Sequence, residues 1–280
     1  MATENALYTI LLEKIKHEEL VLPTLPEVAL KVRKAADDPD INLAQMSEII
    51  SHDPALALGI VKVANSAVLG RKVKVETVIQ AVTRIGLRQI KSIATAMAIE
   101  QIFISDNEIV AMYMKKSWQS TVGVASVAIS LMTFYLQEHK HSPLTLDTIT
   151  LAALVHNLGV LPILTEAEHH PDIFANPTFL QQAISKLSSR IGAEITRAWG
   201  LSEEFTLLVE RWSDLTLLPN EPHYLDFIRA GAVFHNLFKV ESTKEALLNS
   251  YVRKGIIPDA NFMEKDEFKE MYDNVKTMFS

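Results

Sequence analysis

Apolar residues spaced three and four apart recur along almost the whole chain, and that period leaves little room for anything but helix. Leu7, Ile10, Leu11 and Ile15 fall on one face, and Leu43, Met46, Ile49 and Ile50 on another. The pattern continues through Ile60, Val61 and Ala64, then Val78, Ile79, Val82 and Ile85, then Leu87, Ile90, Ile93, Ala94 and Met97. A long helix is predicted through Trp118 and another from Leu146 to Asn157, with more near 177–188, 189–199, 203–213, 222–240, 243–254 and 264–278. Alternation persists only over Arg71–Val75, which reads as a loop or minor strand. Glycine points the same way. Nine in 280 residues is under half the usual share of roughly 7%, so the φ > 0 positions that hairpins and phosphate loops need are scarce. The fold class is all-α.

Stop signals divide the run. Thr24-Leu25-Pro26-Glu27 has the form of a capping box, with Pro26 in the first turn. Asn42 precedes an apolar stripe, Asp53-Pro54 pairs an N-cap with an N1 proline, and Gly86 follows Ile85 as a C-terminal stop. Asn65 and Ser66 end an apolar helix, where Asn tolerates the left-handed conformation and both side chains can cap backbone.

Composition removes whole classes of chemistry. With no cysteine there are no disulfides, thiolate zinc sites, iron–sulfur clusters or Cys nucleophiles. Lys and Arg number 27 against 34 Asp and Glu, so 27 − 34 = −7, which disfavours non-specific binding to nucleic acid or anionic lipid. Glu4 stands where a signal peptide carries positive charge. Trp118–Gln137 is free of formal charge, but Gln119, Thr121, Ser126, Ser130 and Thr133 interrupt it, a spacing that suits close packing in a bundle. Thr148–Thr165 is likewise uncharged and contains His156, Asn157, Gly159 and Pro162. Both read as buried core helices, and the cytoplasm is the expected location. Walker, dinucleotide, nucleophile-elbow and H-E-x-x-H patterns are absent.

The informative segment is Leu151-Ala-Ala-Leu-Val-His156-Asn157-Leu-Gly159. A polar pair in apolar helix needs partners, because burying it alone costs kilocalories. One reading is a mutually satisfied core pair tying helices together, with partners expected near Gln119. The other is a remnant of a metal site in which adjacent His and Asp hold one ion; Asn offers that ion no charge. His52-Asp53 reads as a cap rather than a ligand pair. His139-Lys140-His141 and the Glu166, His169, His170 group read as solvated loops. Arg71, Lys72, Lys74, Arg84, Arg88 and Lys91 form the one basic concentration, able to face an anionic ligand or acidic partner.

Leu22-Pro23-x-Leu25-Pro26, Asp53-Pro54-Ala-Leu, Val63-Ala-Asn65-Ser66-Ala and Ala81-Val-Thr-Arg-Ile-Gly86 occur in an order that resembles the HD-related output domain (HDOD) proteins of bacterial signalling. The resemblance implies a multi-helix bundle with an N-terminal helical subdomain and a degenerate subdomain like that of the HD phosphohydrolases. It suggests an N-terminal helix over 1–21, an HDOD domain over 22–213 divided at 105/106, and C-terminal helices over 214–280. Against the HD pattern, ligand positions correspond to Gln119, His156, Asn157, Ser188 and about Arg211, and only His156 keeps a ligand. The resemblance therefore implies a non-catalytic signalling module with no cofactor and an unknown protein partner. It leaves room for a small-molecule ligand and involves neither nucleic acid nor membrane. The alternative is a metal-dependent phosphohydrolase of nucleotides or cyclic dinucleotides.

Overall fold

The computed structural model describes residues 6–66, 68–69, 73–170, 177–238 and 241–279, and among these every regular element is a helix. Arg71 and Lys72 of the basic run lie outside the described residues.

Most of the expected stops are made by the side chains that signalled them. Asn42 Oδ1 accepts from the Gln45 N–H at 3.0 Å while Gln45 Oε1 accepts from the Asn42 N–H, a complete capping box for Leu43–Ser51. Asp53 Oδ1 accepts from Leu56 N–H at 2.8 Å, and Pro54 opens Pro54–Ala64. Gly86, at φ 85°, closes Val78–Ile85 in a conformation that a Cβ disfavours.

Three expectations fail. The helix Glu27–Ala36 starts after Pro26, its N-cap residue, with no side-chain cap from Thr24. Proline pushes the residue before it out of helical space, so Leu25 cannot begin a helix that Thr24 would cap. Glu27 instead meets Lys31 at 2.7 Å on the exposed face. The pair expected at 177–188 and 189–199 is one 22-residue helix, Pro177–Ala198. At the expected junction Ser188 is buried and Ser189 shares a 2.9 Å hydrogen bond with Ser213. The helix expected to reach Asn157 ends at Val155.

The chain folds into two compact units, each assembled from three separate stretches. The first comprises residues up to Thr24, Gln101–Gln119 and Val155–Leu217. Here Ala6–Lys16 packs on Val160–Glu168 and Pro177–Ala198, and the latter also carries Glu203–Arg211. Leu7, Leu11, Leu161, Leu164, Ile191 and Ile195 fill its core. Glu166, read as a loop residue, is buried in Val160–Glu168, where Lys14 Nζ reaches it at 2.7 Å.

The second unit comprises Leu25–Glu100, Ser120–Leu154 and the chain from Leu218 onward. Glu27–Ala36 packs on Leu43–Ser51 and Leu87–Ala98, and Pro54–Ala64 on Val78–Ile85. Its share of the long helix Glu108–Glu138 is almost wholly buried. Ser126 Oγ donates to Val122 O at 2.7 Å and Thr133 Oγ1 to Ile129 O at 2.8 Å, while the buried hydroxyls of Thr121 and Ser130 have no hydrogen-bond partner among the described residues. The most apolar windows of Glu108–Glu138 and of Leu146–Glu168 are 78% and 83% buried within the protein, as expected of core helices. Asp226 and Lys254 form a buried ion pair at 2.7 and 2.9 Å, strengthened by the His223 N–H at 3.0 Å. Burial pushes the Asp226 carboxyl up, against the pull of Lys254.

Candidate functional site

His156 and Asn157 occupy a turn, not a helix interior. Leu158 N–H donates to Val155 O, Val160 N–H to Asn157 O and Leu161 N–H to Leu158 O, all within 3.2 Å. These i→i+3 bonds join Leu146–Val155 to Val160–Glu168. Two residues account for the break. A continuous helix would need a bond from Pro162 to Leu158 O, and proline has no N–H to make it. A Cβ on Gly159 would sit 1.8 Å from Ser188 O and 2.6 Å from Gly192 N, so only glycine lets the turn lie against the backbone of Pro177–Ala198.

The five positions matched to HD ligands all belong to the first unit. His156 is 2% exposed and meets the Trp212 ring edge to face, centroids 4.8 Å apart at 87°. Asn157 is half-buried and its amide donates to Ser117 Oγ at 3.4 Å, not to Gln119, whose side chain is exposed. Ser188 is buried, with its carbonyl against Gly159. Arg211 is exposed and reaches Asp214 at 3.3 Å. Ser117 was not singled out in the sequence, and Trp212 entered only beside Arg211 as an aligned ligand position; both contacts join residues tens of positions apart, for which no local spacing serves as a signal. Pro23, in the same unit, accepts from Trp199 Nε1–H at 2.8 Å through its carbonyl.

In the second unit, Asn65 is not left-handed, with φ −96° and ψ 0°. Its side chain acts as a splint for an extended segment: Nδ2–H donates to Val75 O at 2.8 Å and Oδ1 accepts from Val75 N–H at 2.9 Å. Arg84 completes the knot, donating to Ala64 O at 3.0 Å and also to Val73 O. Arg84 thus belongs to the scaffold, not to a free anion site, and Lys91 is paired with Asp37. Ser66, next to Asn65, is buried, and its hydroxyl has no hydrogen-bond partner among the described residues. Asp53, Pro54 and Gly86 hold the helix ends around this knot.

The motifs that carry this scaffold are those of a known domain: a family model described as HDOD domain matches residues 22–214. The chain belongs to the HDOD family. A solved structure from Shewanella amazonensis SB2B, named "putative metal-dependent phosphohydrolase", is 42% identical with a TM-score of 0.95, and the match covers 100% of both chains. A "putative signal transduction protein" from Marinobacter aquaeolei VT8 is similar in fold, at 20% identity and TM-score 0.62 over 99% of this chain and 66% of that one. An uncharacterized protein of Treponema pallidum (strain Nichols) is 25% identical over 211 residues, 71% of this chain. This chain spans only 39% of that relative's length. The HDOD match begins at Leu22, so Ala6–Lys16, which packs on Val160–Glu168 and Pro177–Ala198, lies ahead of it.

Proposed function

We propose that this HDOD protein is a non-catalytic regulatory module of bacterial signal transduction, acting in the cytoplasm through contacts with a protein partner. The observation that carries the proposal is the donor set at the five HD positions. It consists of an exposed amide, one imidazole packed on Trp212, an amide donating to Ser117, a buried serine and an exposed guanidinium. A hard dication asks for several anionic oxygens or imidazoles, and this set supplies one imidazole and a cation that would repel it. Among the described residues no three His, Cys, Asp or Glu side chains cluster as a metal site would require. The residues present do not fit a divalent ion.

The name of the Marinobacter relative supports the signalling reading, and the net charge of −7 supports a partner that is neither nucleic acid nor anionic membrane. The name of the Shewanella relative favours a second reading, hydrolysis of a phosphate ester of a nucleotide or cyclic dinucleotide. One experiment separates them. Elemental analysis of untagged protein, with hydrolysis of p-nitrophenyl phosphate and of cyclic dinucleotides assayed in Mn²⁺ and Mg²⁺, should find less than about 0.1 Fe, Mn or Mg per chain and no turnover. About one or two tightly held ions per chain, or metal-dependent turnover, would overturn the proposal.

A further inference from the structure

Within the second unit, the end of Pro54–Ala64 and the residues after it face Leu87–Ala98, the middle of the long helix, the start of Leu146–Val155 and the last turn of the chain across a half-open cleft. Its empty volume, open solvent at the mouth included, is about 380 Å³, and the part between the walls has room for about two water-sized groups. Val63, Ile93, Ile129, Met278 and Phe279, each at most 5% exposed, form apolar walls. Ser66 lies on the wall, 91% buried (9% exposed), with a hydroxyl that neither donates nor accepts among the described residues. Thr150, also on the wall, has spent its proton on Leu146 O at 2.6 Å. Asp147 is the one charged side chain among the described lining residues.

We infer that this cleft is a binding site for a small amphiphile with an apolar body and a neutral or cationic hydrogen-bonding head. Three features select that class. The apolar walls gain by covering hydrocarbon, and the enclosed part takes about the first two or three carbons of a short chain whose remainder lies in the mouth. The unpartnered Ser66 hydroxyl is costly as it stands, and a ligand polar atom would relieve it. The carboxylate of Asp147, with no cation among the described lining residues to balance it, attracts an ammonium and repels a carboxylate. The site lies outside the first unit, so it does not depend on whether that unit is catalytic.

Methyl-labelled full-length protein titrated with 1-hexanol, hexylamine and hexanoate provides the test. Saturable shifts of the Ile93 and Ile129 methyls are expected with the alcohol and the amine, and the amine should bind about 3- to 10-fold more tightly than the carboxylate. Ser66→Ala should weaken hexanol about 3- to 10-fold while leaving Tm unchanged or raised, because it removes an unsatisfied group. A merely structural serine would lower Tm and leave the affinity alone. Asp147→Asn should erase the preference for amine over carboxylate without weakening hexanol. Ile129→Met, which reshapes the wall at nearly constant volume, should change hexanol affinity in a folded protein. No saturable shift at either methyl up to millimolar probe, equal affinity for hexylamine and hexanoate, or shifts unaltered by Ser66→Ala would each overturn the assignment.

Discussion

Both units turn the chain with an asparagine, and the two asparagines are used differently. Asn65 meets the backbone of Val75 on both edges of its amide, at 2.8 and 2.9 Å, and an arginine ties down the same segment. Asn157 makes one long bond, 3.4 Å, to a serine hydroxyl. The first does what a strand partner would do and holds Val75 against the end of Pro54–Ala64. The second is spare capacity, at a turn whose shape is set by Gly159 and Pro162. Motif residues therefore carry the architecture in the second unit, whereas in the first the turn at His156 and Asn157 rests on the close backbone approach at Gly159.

The sharpest way to break the comparison is Gly159→Ala. Its Cβ would meet two backbone groups of Pro177–Ala198 below 3 Å, and neither can rotate away. A loss of about 3 kcal/mol or more is expected, roughly 10 °C in Tm or failure to fold. Gly86→Ala is the control in the other unit. That glycine has φ 85° but open space around its Cβ position, so the cost should be strain alone, about 1–2 kcal/mol. Thermal unfolding of the two variants should rank them in that order; the reverse ranking would show that the turn yields easily.

Next in size is Asn65→Ala, which leaves the Val75 N–H and C=O without their side-chain partners. About 2 kcal/mol is expected, read as Tm, together with faster hydrogen exchange of the Val75 amide. Asn65→Asp should cost nearly as much, because a carboxylate cannot donate to Val75 O. An unchanged Tm in either variant would reduce the splint to a passive contact.

Asn157→Asp should do much less. Had the residue lain inside a helix core, an added carboxylate would have cost several kcal/mol. It is half-buried instead, and Ser117 can turn its hydroxyl to donate. About 1 kcal/mol or less is expected, with no hydrolysis of p-nitrophenyl phosphate in Mn²⁺. Metal-dependent turnover in this variant would mean that one carboxylate suffices to restore the site.

How legible these features were in the sequence depends on how far apart the interacting residues stand. Asn42 with Gln45, Asp53 with Leu56 and the Val78–Gly86 stripe are local, so period and cap chemistry predicted them. The Asn65–Val75 splint spans ten residues and gave no periodic signal; a left-handed cap was the nearest local explanation and was wrong. The surroundings of the His156–Gly159 turn depend on Trp212 against His156, Ser117 against Asn157 and Ser188 against Gly159, brought together only by tertiary packing. The end of its helix was nevertheless written locally, in Gly159 and Pro162, and the uniform apolar run around them hid it. A scan along the chain also yields contiguous segments, whereas each unit here draws on three separate stretches.

The smallest expected effect contrasts one histidine from each unit. His156 is 2% exposed against Trp212; His235 is half-buried, with Nε2 3.5 Å from the Tyr272 hydroxyl and 2.8 Å from where a Cβ on Gly123 would stand. Burial lowers the His235 pKa from its ordinary 6.5; a hydrogen bond involving the Gly123 backbone opposes that shift and Lys276 adds to it. The unfolded chain then takes up a proton more readily than the folded one. His235 therefore contributes stability above pH 6.5 that is lost as pH falls toward its lower folded value. Asp226, raised by burial, acts in the opposite sense, since its folded state holds a proton more readily and gains stability as pH falls. Asp226 is common to wild type and His235→Gln, so it cancels in their difference. Between about pH 7.5 and 5.5 the Tm of wild type should fall more steeply than that of His235→Gln. Parallel curves would show that this imidazole takes up its proton as easily in the fold as in the unfolded chain.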